Sequence, residues 1–105
     1  MQQITPTQLA QELEAGDKPL LLDVREPWEF DHCRIEGSQL MPMQTIPLRL
    51  GELDPDMRIV CICHHGARSM QVGLFLESRG FANVVNLSGG VAAWARSVDP
   101  AMPTY

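Results

Sequence analysis

The sequence predicts an α/β fold in which one parallel sheet is covered by helices on both faces. Short apolar runs alternate with segments of helical periodicity along the whole chain, and at this spacing they imply parallel strands joined by helical crossovers. The run Leu20-Leu21-Leu22-Asp23-Val24 is apolar almost without interruption, as a strand buried on both faces is. No internal repeat and no linker-like stretch divides residues 1–105, so the expectation is a single domain.

Gln2-Gln3-Ile4 reads as a short edge strand. A helix follows, opened either by Thr5 as cap with Pro6 at the first helical position or by Thr7 as cap. Leu9, Ala10 and Leu13 form its apolar face, and Gly16 is its stop. After the strand Leu20–Val24, Pro27 begins a short helix carrying Trp28 and Phe30. Ile35-Glu36-Gly37-Ser38 makes a turn before a third strand, Gln39 to Met41. Thr45 to Leu53 fits a further helix, with Ile46, Leu50 and Leu53 inward and Pro47 tolerated in its first turn. Asp54-Pro55-Asp56 turns the chain into a fourth strand, Arg58–Cys63, rich in β-branched residues. The helix after it places Val72, Phe75 and Leu76 at helical spacing. Phe81 to Leu87 gives a fifth strand, and Ser88-Gly89-Gly90 permits a sharp turn with close backbone approach. Val91 to Arg96 is a short helix that includes Trp94; Pro100 and Pro103 leave an extended tail to Tyr105. The six methionines and two tryptophans read as core filling.

The chemistry concentrates between the fourth strand and its helix. Cys63-His64-His65-Gly66-Ala67-Arg68-Ser69 is a tight turn from a strand end into a helix start. Backbone N–H groups there lack helical partners and can converge on one point, and the helix dipole adds positive potential. Such a ring favours a thiolate over a thiol. Arg68 adds a fixed charge and a fork of donors suited to an oxyanion. The segment therefore reads as a cysteine nucleophile in an anion cradle. A buried structural cysteine at a strand end is the plainer alternative, but it leaves Gly66, Arg68 and Ser69 unexplained.

Other polar residues weigh differently. His64 and His65 read as loop-shaping or substrate-facing groups that add polarity and, when protonated, charge. Cys61, Cys63, His64 and His65 are too crowded in sequence to close on one tetrahedral ion, so no metal is expected. Asp23 and Arg25 suit an ion pair bracing the loops, with an anion contact from Arg25 as the sharper alternative. Both Asp23 and Cys63 end strands, where ligands of parallel sheets bind. Cys61 shares a strand face with Cys63 and reads as core; Cys33 is either buried or a second reactive thiol.

Cys-x-x-Gly-x-Arg-Ser after a strand resembles the active-site loop of the rhodanese family of sulfurtransferases. Leu21-Leu22-Asp23-Val24-Arg25, Glu29-Phe30, Ile35-Glu36-Gly37 and Leu87-Ser88-Gly89-Gly90 with Trp94 occur in that family's order. Cys33-Arg34 stands where many members carry Gly-His. The resemblance implies a three-layer α/β/α fold with a five-stranded parallel sheet. It implies that Cys63 carries sulfane sulfur as a persulfide, from a donor such as thiosulfate to cyanide or a cellular thiol. In that scheme the amides of His64 to Ser69, with Gly66 and Ala67 between, stabilise the persulfide. Arg68 stabilises the anion and Ser69 supports the helix start. No cofactor is implied. Two alternatives stand beside it: a relay module serving a protein sulfur acceptor, and a phosphatase or arsenate reductase. The four residues between Cys63 and Arg68 are one fewer than the latter enzymes use to widen the cradle for a tetrahedral oxyanion.

Composition narrows the partners. With a net charge of −5 and no basic run, nucleic acid is not expected. No apolar stretch is long enough to span a membrane, and Met1-Gln2-Gln3-Ile4 lacks a signal-peptide pattern. Three cysteines, an odd number, suggest free thiols in a reducing cytoplasm. Nothing demands a dimer, so a monomer is expected.

Overall fold

The computed structural model describes residues 1–105. Its strands are β1 (Gln2–Ile4), β2 (Leu20–Asp23), β3 (Gln39–Leu40), β4 (Ile59–Ile62) and β5 (Val84–Leu87). They form one five-stranded sheet in the order β1-β5-β4-β2-β3, parallel throughout. The helices are α1 (Pro6–Glu14), α2 (Pro27–His32), α3 (Ala67–Ser78) and α4 (Gly90–Ser97). The three-layer α/β/α arrangement expected from the sequence is present.

Side-chain alternation along the strands builds two cores. Val60, Ile62, Val85 and Leu87 face one core with Leu9 of α1 and Val91 and Trp94 of α4. Ile59, Cys61 and Val84 face the other with Val72 and Leu76 of α3. β4 lies at the centre of the sheet and is buried along its whole length.

Thr5, not Thr7, caps α1: its side chain accepts from Gln8 N–H, while the Gln8 side chain accepts from Thr5 N–H. This reciprocal pair, with Pro6 at the first helical position, satisfies donors that a helix start leaves free. The helix expected over Thr45–Leu53 is instead two 3-10 segments, Met43–Leu48 and Leu50–Glu52. Pro47 contributes no N–H and disfavours α geometry at Ile46, while Gly51 weakens continuation. Ile46 and Leu53 still point inward. Core filling fails for some of the large apolar side chains. Trp94 and Met41 are buried, but Trp28 is 62% exposed, and Met1 and Met57 lie at the surface. On the one-and-a-half-turn α2 the buried position goes to Glu29, leaving Trp28 outside.

Candidate active site

Cys63 follows β4 directly, and the alternation that sends Ile59 and Cys61 toward α3 sends Cys63 the same way. The loop then reverses at Gly66, whose φ of +106° is open to glycine and strained for other residues. That reversal aims the start of α3 at the sulfur. Gly66 N–H donates to Cys63 Sγ at 3.0 Å, and Ser69 Oγ lies 3.2 Å from it. The other loop amides do not reach the bare sulfur, so the expected ring narrows to one N–H and one hydroxyl around Sγ. Cys63 itself is only 1% exposed.

The loop is held from the opposite side by α4. Val91 N–H donates to the Cys63 carbonyl at 2.9 Å and Ala92 N–H to the His64 carbonyl at 3.1 Å. Gly90 makes this possible: a Cβ there would stand 2.3 Å from the Cys63 carbonyl oxygen.

Arg68 turns its fork away from the sulfur. Its Nη1 and Nη2 donate to Glu29 Oε1 and Oε2 at 2.7 and 2.8 Å, tying the first turn of α3 to α2. The guanidinium charge stays beside the loop, raised above its ordinary range chiefly by the hydrogen bond to Glu29. Reciprocally, Glu29 is lowered to about 2, chiefly by the same Arg68 bond. Its carboxylate also accepts from Glu26 N–H at 3.0 Å and from the Tyr105 hydroxyl at 2.8 Å.

Asp23 and Arg25 form a fully buried ion pair, Nε to Oδ1 at 2.9 Å and Nη2 to Oδ2 at 2.8 Å. The remaining Arg25 donors go to the Cys33 carbonyl at 2.6 Å, the Tyr105 hydroxyl oxygen at 2.9 Å and the Glu29 carbonyl at 3.4 Å. With its donors engaged in this way, Arg25 ties β2, α2 and the tail together and offers no free N–H to an anion. Burial pulls its affinity for the proton down, but the Asp23 and Tyr105 bonds outweigh that and hold it above the usual range.

His64 stacks between two rings, His65 at 3.9 Å and Tyr105 at 4.0 Å between centroids. Desolvation, then the neighbouring His65 charge, push its protonation below the ordinary imidazole range. A cavity of about 180 Å³ opens beside this stack, lined by His64, His65, Arg96 and Tyr105 with Cys33 among its walls. Cys33 is buried there, and Cys61 is fully buried, its thiol pushed up to about 12 chiefly by desolvation.

Three participants lie outside the residues singled out from the sequence for the site: Glu29, Asn86 and Tyr105. Asn86 is 2% exposed on the α3 face of β5. Its Nδ2 donates to the Gly66 carbonyl at 3.1 Å, and its Oδ1 accepts from Ser69 Oγ at 2.5 Å. An asparagine inside the apolar run Val84-Val85-Asn86-Leu87 is a legible signal, because a buried amide demands partners. The roles of Glu29 and Tyr105 carry no such local mark.

A family model described as rhodanese-like domain matches residues 5–97. A sulfurtransferase of Allochromatium vinosum is 38% identical over 94 residues, covering 90% of this chain and 88% of the relative. The thiosulfate sulfurtransferase GlpE of Glaesserella parasuis is 32% identical, covering 93% and 90% respectively. The chain spans about a quarter of the length of the probable adenylyltransferase/sulfurtransferases of Mycobacterium tuberculosis that it also matches. Among solved structures, a rhodanese-like domain protein from Staphylococcus aureus superimposes with a TM-score of 0.85 at 33% identity, over 90% of this chain and 91% of that one. With this agreement over nearly the whole chain, in sequence and in fold, the protein belongs to the rhodanese-like domain family.

Proposed function

We propose that residues 1–105 act as one sulfurtransferase unit in which Cys63 carries sulfane sulfur. The observation that carries this is Cys63 at the end of the central strand, with Gly66 N–H and Ser69 Oγ at its sulfur. The names of the full-length relatives point to the same class of reaction. In the first step the Cys63 thiolate attacks the outer sulfur of thiosulfate. A new S–S bond forms, and sulfite leaves with the electron pair of the broken bond. In the second step cyanide or a thiolate attacks the terminal sulfur, and the bond to Cys63 breaks to return its thiolate. The terminal sulfur stands about 2 Å beyond Sγ, where loop amides that miss the bare sulfur can serve it. The Arg68 charge beside the loop favours the anionic persulfide. Three free thiols, Cys33, Cys61 and Cys63, suit a reducing, cytoplasmic setting.

One observation favours a relay to a protein acceptor. Trp28 is largely exposed and packs edge-on against Tyr105 at 5.5 Å, and Tyr105 in turn covers His64. An exposed aromatic group next to the loop is a natural contact for a docking partner. Thiocyanate formation from thiosulfate and cyanide tests the enzyme reading. Steady turnover, abolished in Cys63→Ser with the far-ultraviolet circular dichroism unchanged, is expected. Undiminished turnover in Cys63→Ser would remove Cys63 from the reaction.

A further inference from the structure

The hydroxyl of Ser69 has a single proton and three neighbours that could take it. Asn86 Oδ1 lies at 2.5 Å, Cys63 Sγ at 3.2 Å and the Gly66 carbonyl at 3.3 Å. The orientation of the Asn86 amide decides among them. Its other end faces the Gly66 carbonyl at 3.1 Å, and a carbonyl only accepts, so that end is the NH2 group. The NH2 also reaches Gln3 Oε1 at 3.1 Å. The amide oxygen therefore faces Ser69 and takes the hydroxyl proton, leaving Ser69 to offer lone pairs to the sulfur. A thiol can donate to those lone pairs, whereas an anionic sulfur cannot.

We propose that Asn86 is a positioning residue that turns the Ser69 hydroxyl proton away from Cys63, so that Ser69 presents a lone pair instead of a proton to the resting sulfur. When the sulfur becomes anionic the hydroxyl must rotate toward it, and Asn86 Oδ1 then loses its partner. Gly66 N–H is the donor that serves the sulfur in both states. This inference rests on Cys63 being the reacting sulfur, but its test needs neither donor nor acceptor. The charged or titratable groups around the sulfur are His64 and His65 in the loop, Cys61 on β4, and Arg68 of α3 paired with Glu29 of α2. All of them stay in place across the variants below.

The test measures the ultraviolet thiolate absorbance of Cys63 at one neutral pH, each variant being referenced to its own Cys63→Ser partner. Asn86→Leu cannot accept the hydroxyl proton, which is then left with the sulfur at 3.2 Å and the Gly66 carbonyl at 3.3 Å, and an anionic sulfur is the stronger draw of the two. The thiolate-to-thiol ratio should rise on the order of tenfold, as expected for a hydrogen bond gained by a charged group. Asn86→Val, which suits a central strand, repeats the experiment if the leucine variant does not fold. Asn86→Asp still accepts the proton and should keep the ratio at or below the parent's. In a Ser69→Ala background, Asn86→Leu should change nothing. An unchanged or lower ratio in a folded Asn86→Leu or Asn86→Val would overturn the proposal. So would the same rise in the Ser69→Ala background, since loop loosening would then be the cause.

Discussion

Glu29 is where the loop brace, the short helix and the tail meet. Its two oxygens accept from Arg68, Tyr105 and the Glu26 N–H. Because its carboxyl is lowered from 4.5 to about 2, it adds stability that is fully present above the ordinary value. That stability is lost as pH falls through the lowered one. Arg68 is about a third exposed, so solvent screening limits the gain to about 1–2 kcal/mol. Glu29→Gln should therefore unfold at lower urea than the parent at pH 7, and the gap should close as pH falls from about 4.5 toward 2. A gap independent of pH would assign the loss to packing instead of charge. The residues from Cys63 to Ser69 were legible in the sequence because seven consecutive positions carry the pattern. Glu29 was not, because it meets Arg68 across 39 positions and Tyr105 across 76, and pairs so distant leave no periodic trace. The direction of the Arg68 fork was hidden for the same reason.

At the scale of elements, the loop is fixed between the start of α3 and the start of α4. Gly90 lies in the left-handed region at φ +59° and against the Cys63 and His64 carbonyls. Gly90→Ala would strain the backbone and push those carbonyls away, costing about 1–3 kcal/mol. On the proposed role of Cys63 as sulfur carrier, the displaced residue holds the reacting sulfur, and transfer should slow on the order of 100-fold. Parent-like stability and rate in Gly90→Ala would show that α4 does not position the loop. The Ser88-Gly89-Gly90 turn was readable from its glycines, which announce close approach. The 3-10 path of Met43–Glu52 was less so: the apolar spacing of Ile46, Leu50 and Leu53 mimics a helix, while Pro47 lacks an N–H and Gly51 lowers helix propensity.

Across the whole molecule, two apolar layers on one parallel sheet carry the stability, and both were visible as β-branched runs and helical faces. Leu22 and Leu48 show the contrast, at 0% and 92% exposure. Leu22→Ala should cost about 2–5 kcal/mol in urea unfolding, against less than about 0.5 kcal/mol for Leu48→Ala. Equal losses would mean the sheet interior is not the cooperative core. The same core sets β4 at its centre and delivers Cys63 to the sheet's carboxyl edge, which makes sulfur loading on that residue the central claim. The most direct measurement is the intact mass of the protein after thiosulfate, with the modified residue mapped by fragmentation and a parallel sample treated with cyanide. The prediction is a gain of one sulfur atom on Cys63, removed by cyanide with release of thiocyanate. A free, alkylatable Cys63 with no added sulfur, or sulfur found on Cys33 instead, would contradict it.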